Sequence, residues 1–106
     1  MGKRSWKETK VIRYTITYTK RAEHNAKNIF DYIFDILLNP QAAIRFLKNI
    51  VQEISKLDLF PYRYKSNNNV QNRILIFKKY LIFYEIQEKE KLVIIKRIIH
   101  SMQNFR

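Results

Sequence analysis

The chain opens with a short segment in which neighbouring side chains alternate between two faces. Residues 11–18, VIRYTITY, are rich in β-branched and aromatic types. Ile12, Tyr14, Ile16 and Tyr18 share one face, and Val11, Arg13, Thr15 and Thr17 share the other. This period of two, in residues that favour extended backbone, predicts a half-buried strand.

The apolar period then lengthens to three and four residues. Six apolar positions form one stripe on a helix: Ala22, Ala26, Ile29, Phe30, Ile33 and Leu37. Thr19 precedes the stripe, where its hydroxyl can accept a hydrogen bond from a free N–H of the first turn. Asn39-Pro40 ends the helix, because a residue before proline disfavours the α region.

The same dipeptide starts a second helix, since Asn39 can cap it and Pro40 has the φ of a first helical position. Its apolar stripe consists of Ala43, Phe46, Leu47, Ile50, Val51, Ile54 and Leu57. The helix stops before Pro61. With almost no loop between them, the two helices are expected to form an antiparallel α-hairpin.

The C-terminal half is predicted to be a sheet. Residues 61–69, PYRYKSNNN, are interpreted as a loop, with an Asn triplet that favours turns and left-handed backbone. Three segments of β-branched and aromatic residues follow, at 72–77, 80–86 and 92–99. Lys78-Lys79 and Glu88-Lys89-Glu90 separate them, and breaks of that length connect consecutive antiparallel strands.

The element order is therefore β-α-α-β-β-β. It predicts an α+β fold in which an α-hairpin packs on a twisted, mostly antiparallel, four-stranded sheet. The 106 residues fit one domain, at 11–106, preceded by a basic N-terminal arm at 1–10.

Composition excludes several kinds of chemistry. There is no Cys, and the single Gly, at position 2, excludes the Gly-rich phosphate loops. His24 and His100 are far apart and lack the spacing of metal ligands, so neither a metal nor another cofactor is expected. No apolar run is long enough to cross a bilayer, and the first ten residues lack the apolar stretch of a secretory signal. We therefore expect a cytoplasmic protein without membrane contact.

Charge points to an acidic partner. Lys and Arg number 21 against 9 Asp and Glu, a formal net charge of +12. In the C-terminal half these cations alternate with aromatic residues, as in proteins that bind unpaired bases. The candidate contact residues are Arg63, Lys65, Lys78, Tyr84 and Phe105. Alternation of core and solvent positions on a sheet explains most of the same pattern without any ligand.

A metal-free ribonuclease needs cations at the scissile phosphate and groups for proton transfer. The candidate catalytic residues are Arg73, Arg97 and His100. His100 has the only type of side chain here that ordinarily titrates near neutrality, but a histidine packed at the end of a strand is the slightly favoured interpretation, because the sequence identifies no partner acid or base.

Five segments carry a family resemblance: YTITYTKRAEHNAKNIFDYI, NPQAAIRFLKNI, LDLFPYRY, YLIFYEI and VIIKRIIHSMQNF. In this order and spacing, over residues 12–106, the chain resembles the RelE/ParE superfamily of toxins from bacterial type II toxin–antitoxin modules, also described as plasmid stabilisation proteins. The resemblance implies a growth-arresting toxin with the same fold. It also implies neutralisation by a cognate antitoxin, whose acidic segment folds onto the α-hairpin and sheet and would suit the positive charge.

The superfamily divides by target, and the resemblance implies two alternatives. RelE-like members cleave mRNA on the ribosome, and Arg73, Arg97 and His100 match their basic and R-x-x-H positions. ParE-like members inhibit DNA gyrase. Where nuclease-like members often have Arg and a terminal Tyr, this chain has Ser101 and Phe105, which lack the charge and the hydroxyl. Gyrase inhibition is therefore favoured over mRNA cleavage. A non-toxic nucleic-acid-binding module is a third hypothesis.

Overall fold

Two helices lie on one face of a five-stranded open sheet. The computed structural model describes residues 12–101, so the predicted arm at 1–10 lies outside the described residues. In chain order the elements are β1 (Thr15–Tyr18), α1 (Lys20–Asp31), α2 (Pro40–Ser55), β2 (Lys65–Asn67), β3 (Asn69–Phe77), β4 (Tyr80–Gln87) and β5 (Leu92–His100). The α+β class and the α-hairpin are confirmed.

Both predicted helix caps are present. The Thr19 hydroxyl accepts a hydrogen bond from the Ala22 N–H at 3.0 Å, which satisfies a first-turn donor of α1. Asn39 Oδ1 accepts from the Ala42 N–H at 3.1 Å, and Pro40 occupies the first position of α2. These local signals set the start of each helix.

The end of the first helix differs from the prediction. After α1 the chain forms a π-helical turn over Tyr32–Ile36, in which the Leu37 N–H bonds to the Tyr32 carbonyl at 3.0 Å. Leu38 then takes a φ of 54°, so that the chain reverses just before Asn39-Pro40. The wider turn rotates Leu37 out of the apolar stripe, and 55% of it is exposed. The placement of Leu37 on the buried face was therefore wrong.

The strand order is β1-β5-β4-β3-β2. β1 runs parallel to β5, from the pair Thr15–Leu92 to the pair Tyr18–Ile95, and the other neighbours are antiparallel. The fifth strand, β2, lies within the segment predicted as a loop. Its three residues are too few and too polar to show alternation, and they pair with β3 through Lys65–Ile74 and Ser66–Arg73.

The core lies between the hairpin and one face of the sheet. It consists of Ala22, Ile29, Phe46, Ile50, Ile54, Leu57, Leu75, Ile82, Tyr84, Ile86, Val93, Ile95 and Ile98. A bulge in β5 shifts the register, because Phe83 pairs with Arg97 whereas Tyr84 pairs with Ile95. Lys96 is the extra residue, and the side chains after it change faces. Ile98 thus returns to the core, and Arg97 is placed on the sheet face that the helices leave uncovered.

Candidate functional site

Arg73 is bonded to the backbone of its own fold. Its Nε donates to the Val70 carbonyl at 2.8 Å, and its Nη1 donates to the carbonyls of Tyr62 at 3.0 Å and Tyr64 at 2.8 Å. The guanidinium also lies 5.1 Å from the centre of the Tyr62 ring. Arg73 therefore fastens the turn at Tyr62–Tyr64 to β3, and most of its donors are used in doing so.

Tyr84 belongs to the core. Only 1% of it is exposed, and its hydroxyl donates to the Pro61 carbonyl at 2.6 Å. Burial raises the pKa of the hydroxyl, so the group stays a neutral donor. Its prediction as a target-contact residue was wrong, because aromatic character in a strand does not reveal which face the helices will cover.

Arg97 lies on the uncovered face of the sheet. Its guanidinium is stacked 4.7 Å from the centre of the Phe83 ring. Its Nε is buried and has no hydrogen-bond partner, and the side chain forms no ion pair within residues 12–101. Because no carboxylate in this range neutralises it, the positive charge of Arg97 can attract an anion to this face.

His100 lies on the opposite face. Its ring meets Tyr80 edge-on at 5.3 Å, and Tyr80 in turn packs on Phe46 at 4.9 Å. Arg73 shares this face but pairs with Tyr84, about 13 Å along β4 from Tyr80 at the usual strand rise. The three predicted catalytic side chains therefore do not converge on one site in this structure.

The remaining predicted contact residues are on the surface. Arg63 and Lys78 are exposed and lie over the rings of Tyr64, at 5.1 Å, and Phe77, at 5.5 Å. Lys65 is exposed on β2 at the edge of the sheet. Phe105 lies beyond residue 101, outside the described part of the chain.

A polar cluster around Glu88 was not foreseen from sequence. The hydroxyls of Tyr14 and Tyr62 both donate to Glu88 Oε1, at 2.8 and 2.7 Å, and Lys91 pairs with Oε2. Lys91 and then the two hydroxyls hold the pKa of Glu88 down to about 2, and the bond to Glu88 raises the pKa of Tyr62 to about 12. Tyr14 and Tyr62 lie 74 and 26 residues from Glu88, too far for spacing to reveal the cluster, which ties together three separate segments.

The Glu88 cluster predicts a specific dependence of stability on pH. Because the carboxyl pKa is depressed in the folded chain, its contribution is present above its ordinary pKa of 4.5 and is lost as the pH falls towards 2. Glu88→Gln should therefore be less stable than the original chain at neutral pH, and the difference should shrink between these two values. Urea unfolding of both proteins across that range measures it. A difference independent of pH would contradict the assignment.

An apolar groove separates the two helices on the flank next to β1. Its volume is about 530 Å³. Leu47 and Val51 are 41% and 48% exposed, although the sequence placed both on the buried stripe. The groove is lined by Tyr18, Glu23, Ala26, Lys27, Phe30, Asp31, Leu47, Ile50, Val51, Ile54 and Ile98. The sequence indicates this groove through the adjacent apolar pairs 46–47 and 50–51. They make the apolar stripe of α2 wider than the part of the helix that packs in the core.

Two further kinds of site are absent from residues 12–101. No group of three or more His, Asp or Glu side chains in this range is placed to hold a metal ion. No helix in this part of the chain is both long and apolar enough to cross a membrane.

The fold is similar to those of solved toxin–antitoxin proteins. A chain of the chromosomal ParDE system from P. aeruginosa matches with a TM-score of 0.71 at 17% identity, over 83% of this chain and 96% of that one. A chain of the RelBE2 toxin–antitoxin complex from Mycobacterium tuberculosis matches with a TM-score of 0.58 at 19% identity, over 88% and 97%. A search of curated proteins finds no significant match.

A match of the sequence to a protein family is more specific evidence than this similarity of fold. Residues 16–105 match the family described as the ParE toxin of type II toxin–antitoxin system, parDE. The matched segment runs from β1 through both helices and all the remaining strands. The chain therefore belongs to the ParE toxin family of type II toxin–antitoxin systems, which lies within the superfamily that its segment order suggested.

Proposed function

We propose that this chain is a growth-arresting toxin that is neutralised by an antitoxin docked in the groove between α1 and α2. The match to the ParE toxin family over residues 16–105 carries the proposal. The two solved structures of similar fold, which come from toxin–antitoxin systems, support it.

The groove has the chemistry of a peptide-binding surface. Its floor is apolar, and the half-exposed Leu47 and Val51 would be desolvated by an apolar helix face. Tyr18 lines the same groove from β1, whose only strand partner within the described residues is β5. The groove itself is lined by Glu23, Lys27 and Asp31 besides its apolar residues, so the preference for an acidic, amphipathic antitoxin segment rests on the net charge of the whole chain, +12.

For the cellular target we propose DNA gyrase, inhibited through protein contacts. Arg73 is occupied by backbone carbonyls, and it lies far from His100 and on the other sheet face from Arg97. Within residues 12–101 the three candidate catalytic side chains are therefore not assembled for phosphate cleavage, which supports the non-nuclease alternative.

Substitution of Val51 in the groove tests the antitoxin-binding surface. Val51→Glu should weaken binding of the cognate antitoxin by at least about tenfold, because it buries an unpaired charge in an apolar interface. Co-expression should then fail to rescue growth. Ile44→Glu is the matched control, since Ile44 is a comparably exposed apolar residue of α2, at 58% against 48% for Val51, and lies outside the groove. Calorimetry with the purified proteins measures both affinities, and equal loss in the two variants would contradict the assignment.

Inducible expression distinguishes the possible targets. Gyrase inhibition predicts growth arrest with accumulated gyrase–DNA cleavage complexes, altered plasmid supercoiling and intact mRNA. Cleavage of messages only during translation would instead support the ribosome-dependent endonuclease. Normal growth during full expression of the folded chain would support the non-toxic nucleic-acid-binding module.

A further inference from the structure

A second concave surface lies on the other flank of α1. It is a cleft of about 580 Å³ between the C-terminal half of α1 and the sheet corner where β4 begins and β5 ends. This volume is within the range of ligand-binding clefts. The residues that matter here are Asn25, Asn28, Tyr32, Tyr80 and His100. The cleft is separate from Arg97, which faces the opposite side of the sheet.

Two amides of α1 supply hydrogen-bonding groups to the cleft. Asn25 Oδ1 accepts from the Ile98 N–H at 3.0 Å, which fixes this side chain and leaves its NH₂ as a donor. Asn28 is exposed, and its amide bonds to no other residue within 12–101. A carboxamide presents a donor and an acceptor side by side, which is the complement of a nucleobase edge.

Aromatic rings border the same space. Tyr32 is 54% exposed at the mouth and offers a face for stacking. Tyr80, in the wall, is held by Phe46 at 4.9 Å on the core side and by the edge of His100 at 5.3 Å. The Tyr80 ring is therefore packed between two other rings before any ligand arrives, so little of its rotational freedom remains to be lost on binding.

The charge around the cleft favours an anion. No Asp or Glu lines it. Lys78 and Lys79 form the exposed turn between β3 and β4, next to Tyr80. The Ser101 N–H donates to the Lys79 carbonyl at 2.6 Å, which holds this turn against the end of β5 beside His100. Two cations thus lie in the turn beside an amide-bearing and aromatic cleft that no carboxylate lines.

We propose that this cleft binds one unpaired nucleotide of a single-stranded nucleic acid. The base is read by the amides of Asn25 and Asn28 and stacked against Tyr32, and Lys78 and Lys79 hold the adjoining phosphates. The inference goes beyond the toxin assignment and does not depend on which cellular target is correct.

Nuclear magnetic resonance on the ¹⁵N-labelled chain tests the site directly. Addition of AMP, GMP, CMP or UMP should shift the side-chain amide signals of Asn25 and Asn28. Single-stranded RNA and DNA of about six nucleotides should produce the same shifts at lower concentration, because the lysines then contact phosphates. Comparison of the titrations with RNA and with DNA identifies which nucleic acid binds more tightly. Equal shifts caused by an acidic peptide in place of nucleotides would overturn the proposal.

Matched variants supply the second readout. Asn28→Leu should weaken binding of the six-nucleotide strand by about five- to a hundredfold, as expected for the loss of an amide–base pair. Gln52→Leu removes an equally exposed amide from α2, away from the cleft, and should bind normally. Both positions are exposed on helices, so both variants should fold. Equal affinities for the two variants would overturn the proposal.

Salt dependence tests the lysines separately. Lys78→Gln combined with Lys79→Gln should reduce the slope of log affinity against log salt by about 0.7 for each lysine–phosphate pair that the substitutions remove. The Asn28→Leu variant should keep the original slope, because an amide releases no counterions. An unchanged slope in the double lysine variant would remove the phosphate part of the proposal.

Discussion

Tyr84→Ala is expected to lower the free energy of unfolding by about 3–5 kcal/mol, the range for removing a large aromatic side chain from a core. Tyr84 is 1% exposed and is the largest of the fully buried side chains. The substitution leaves a cavity and also removes the donor to the Pro61 carbonyl. Urea unfolding monitored by circular dichroism measures the change.

Two companion variants separate the contributions of Tyr84. Tyr84→Phe keeps the ring but leaves the Pro61 carbonyl without its donor, and should cost about 1–2 kcal/mol. Ile76→Ala, an exposed apolar position on the uncovered sheet face, should change stability by less than about 0.5 kcal/mol. A Tyr84→Ala effect no larger than that of Ile76→Ala would contradict the core placement.

Arg73→Ala is expected to lower the free energy of unfolding by about 2–4 kcal/mol, because it removes charge-assisted bonds to three carbonyls. Arg73→Lys should recover less than half of the loss, since an ammonium group cannot reproduce the planar fork. Arg63→Ala is the control: its guanidinium lies on one exposed ring, and its loss should cost less than about 1 kcal/mol.

This stability effect changes how a toxicity assay should be interpreted. Loss of toxicity in Arg73→Ala is expected to accompany partial unfolding in the cell, and so it says nothing about catalysis. Arg97→Ala is more informative, because Arg97 bonds to no backbone carbonyl in the described residues and stacks on Phe83 alone. If Arg73→Ala keeps its full stability and yet loses toxicity, a direct functional role for Arg73 regains support.

The local elements follow closely from sequence. Thr19 and Asn39 cap the helices because a side-chain oxygen reaches an N–H only three residues away. The Asn triplet supplies left-handed backbone at Asn68, whose φ is 76°. The atoms that form these interactions lie within a few residues of one another, so the spacing of residue types in the sequence is enough to predict them.

The predictions from sequence fail where local signals conflict or where a segment is too short to show a pattern. Leu37 has the right spacing for the core, but it follows a π turn and directly precedes the chain reversal at Leu38, and it is exposed. β2 is three polar residues long, and only the presence of β3 beside it makes it a strand. Neighbouring structure decides both cases.

The sequence by itself determined the order of elements, the helix caps, the positive charge and the likeness to a toxin family. The tertiary structure alone decided which side chains meet. The bulge at Lys96 sends Arg97 to the uncovered face, and hairpin packing buries Tyr84 while leaving Val51 in an open groove. Glu88 accepts hydrogen bonds from Tyr14 and Tyr62, which lie in distant segments of the chain. Spacing along the chain describes periodicity within one element, whereas the allocation of faces depends on register and packing between elements that are far apart in sequence.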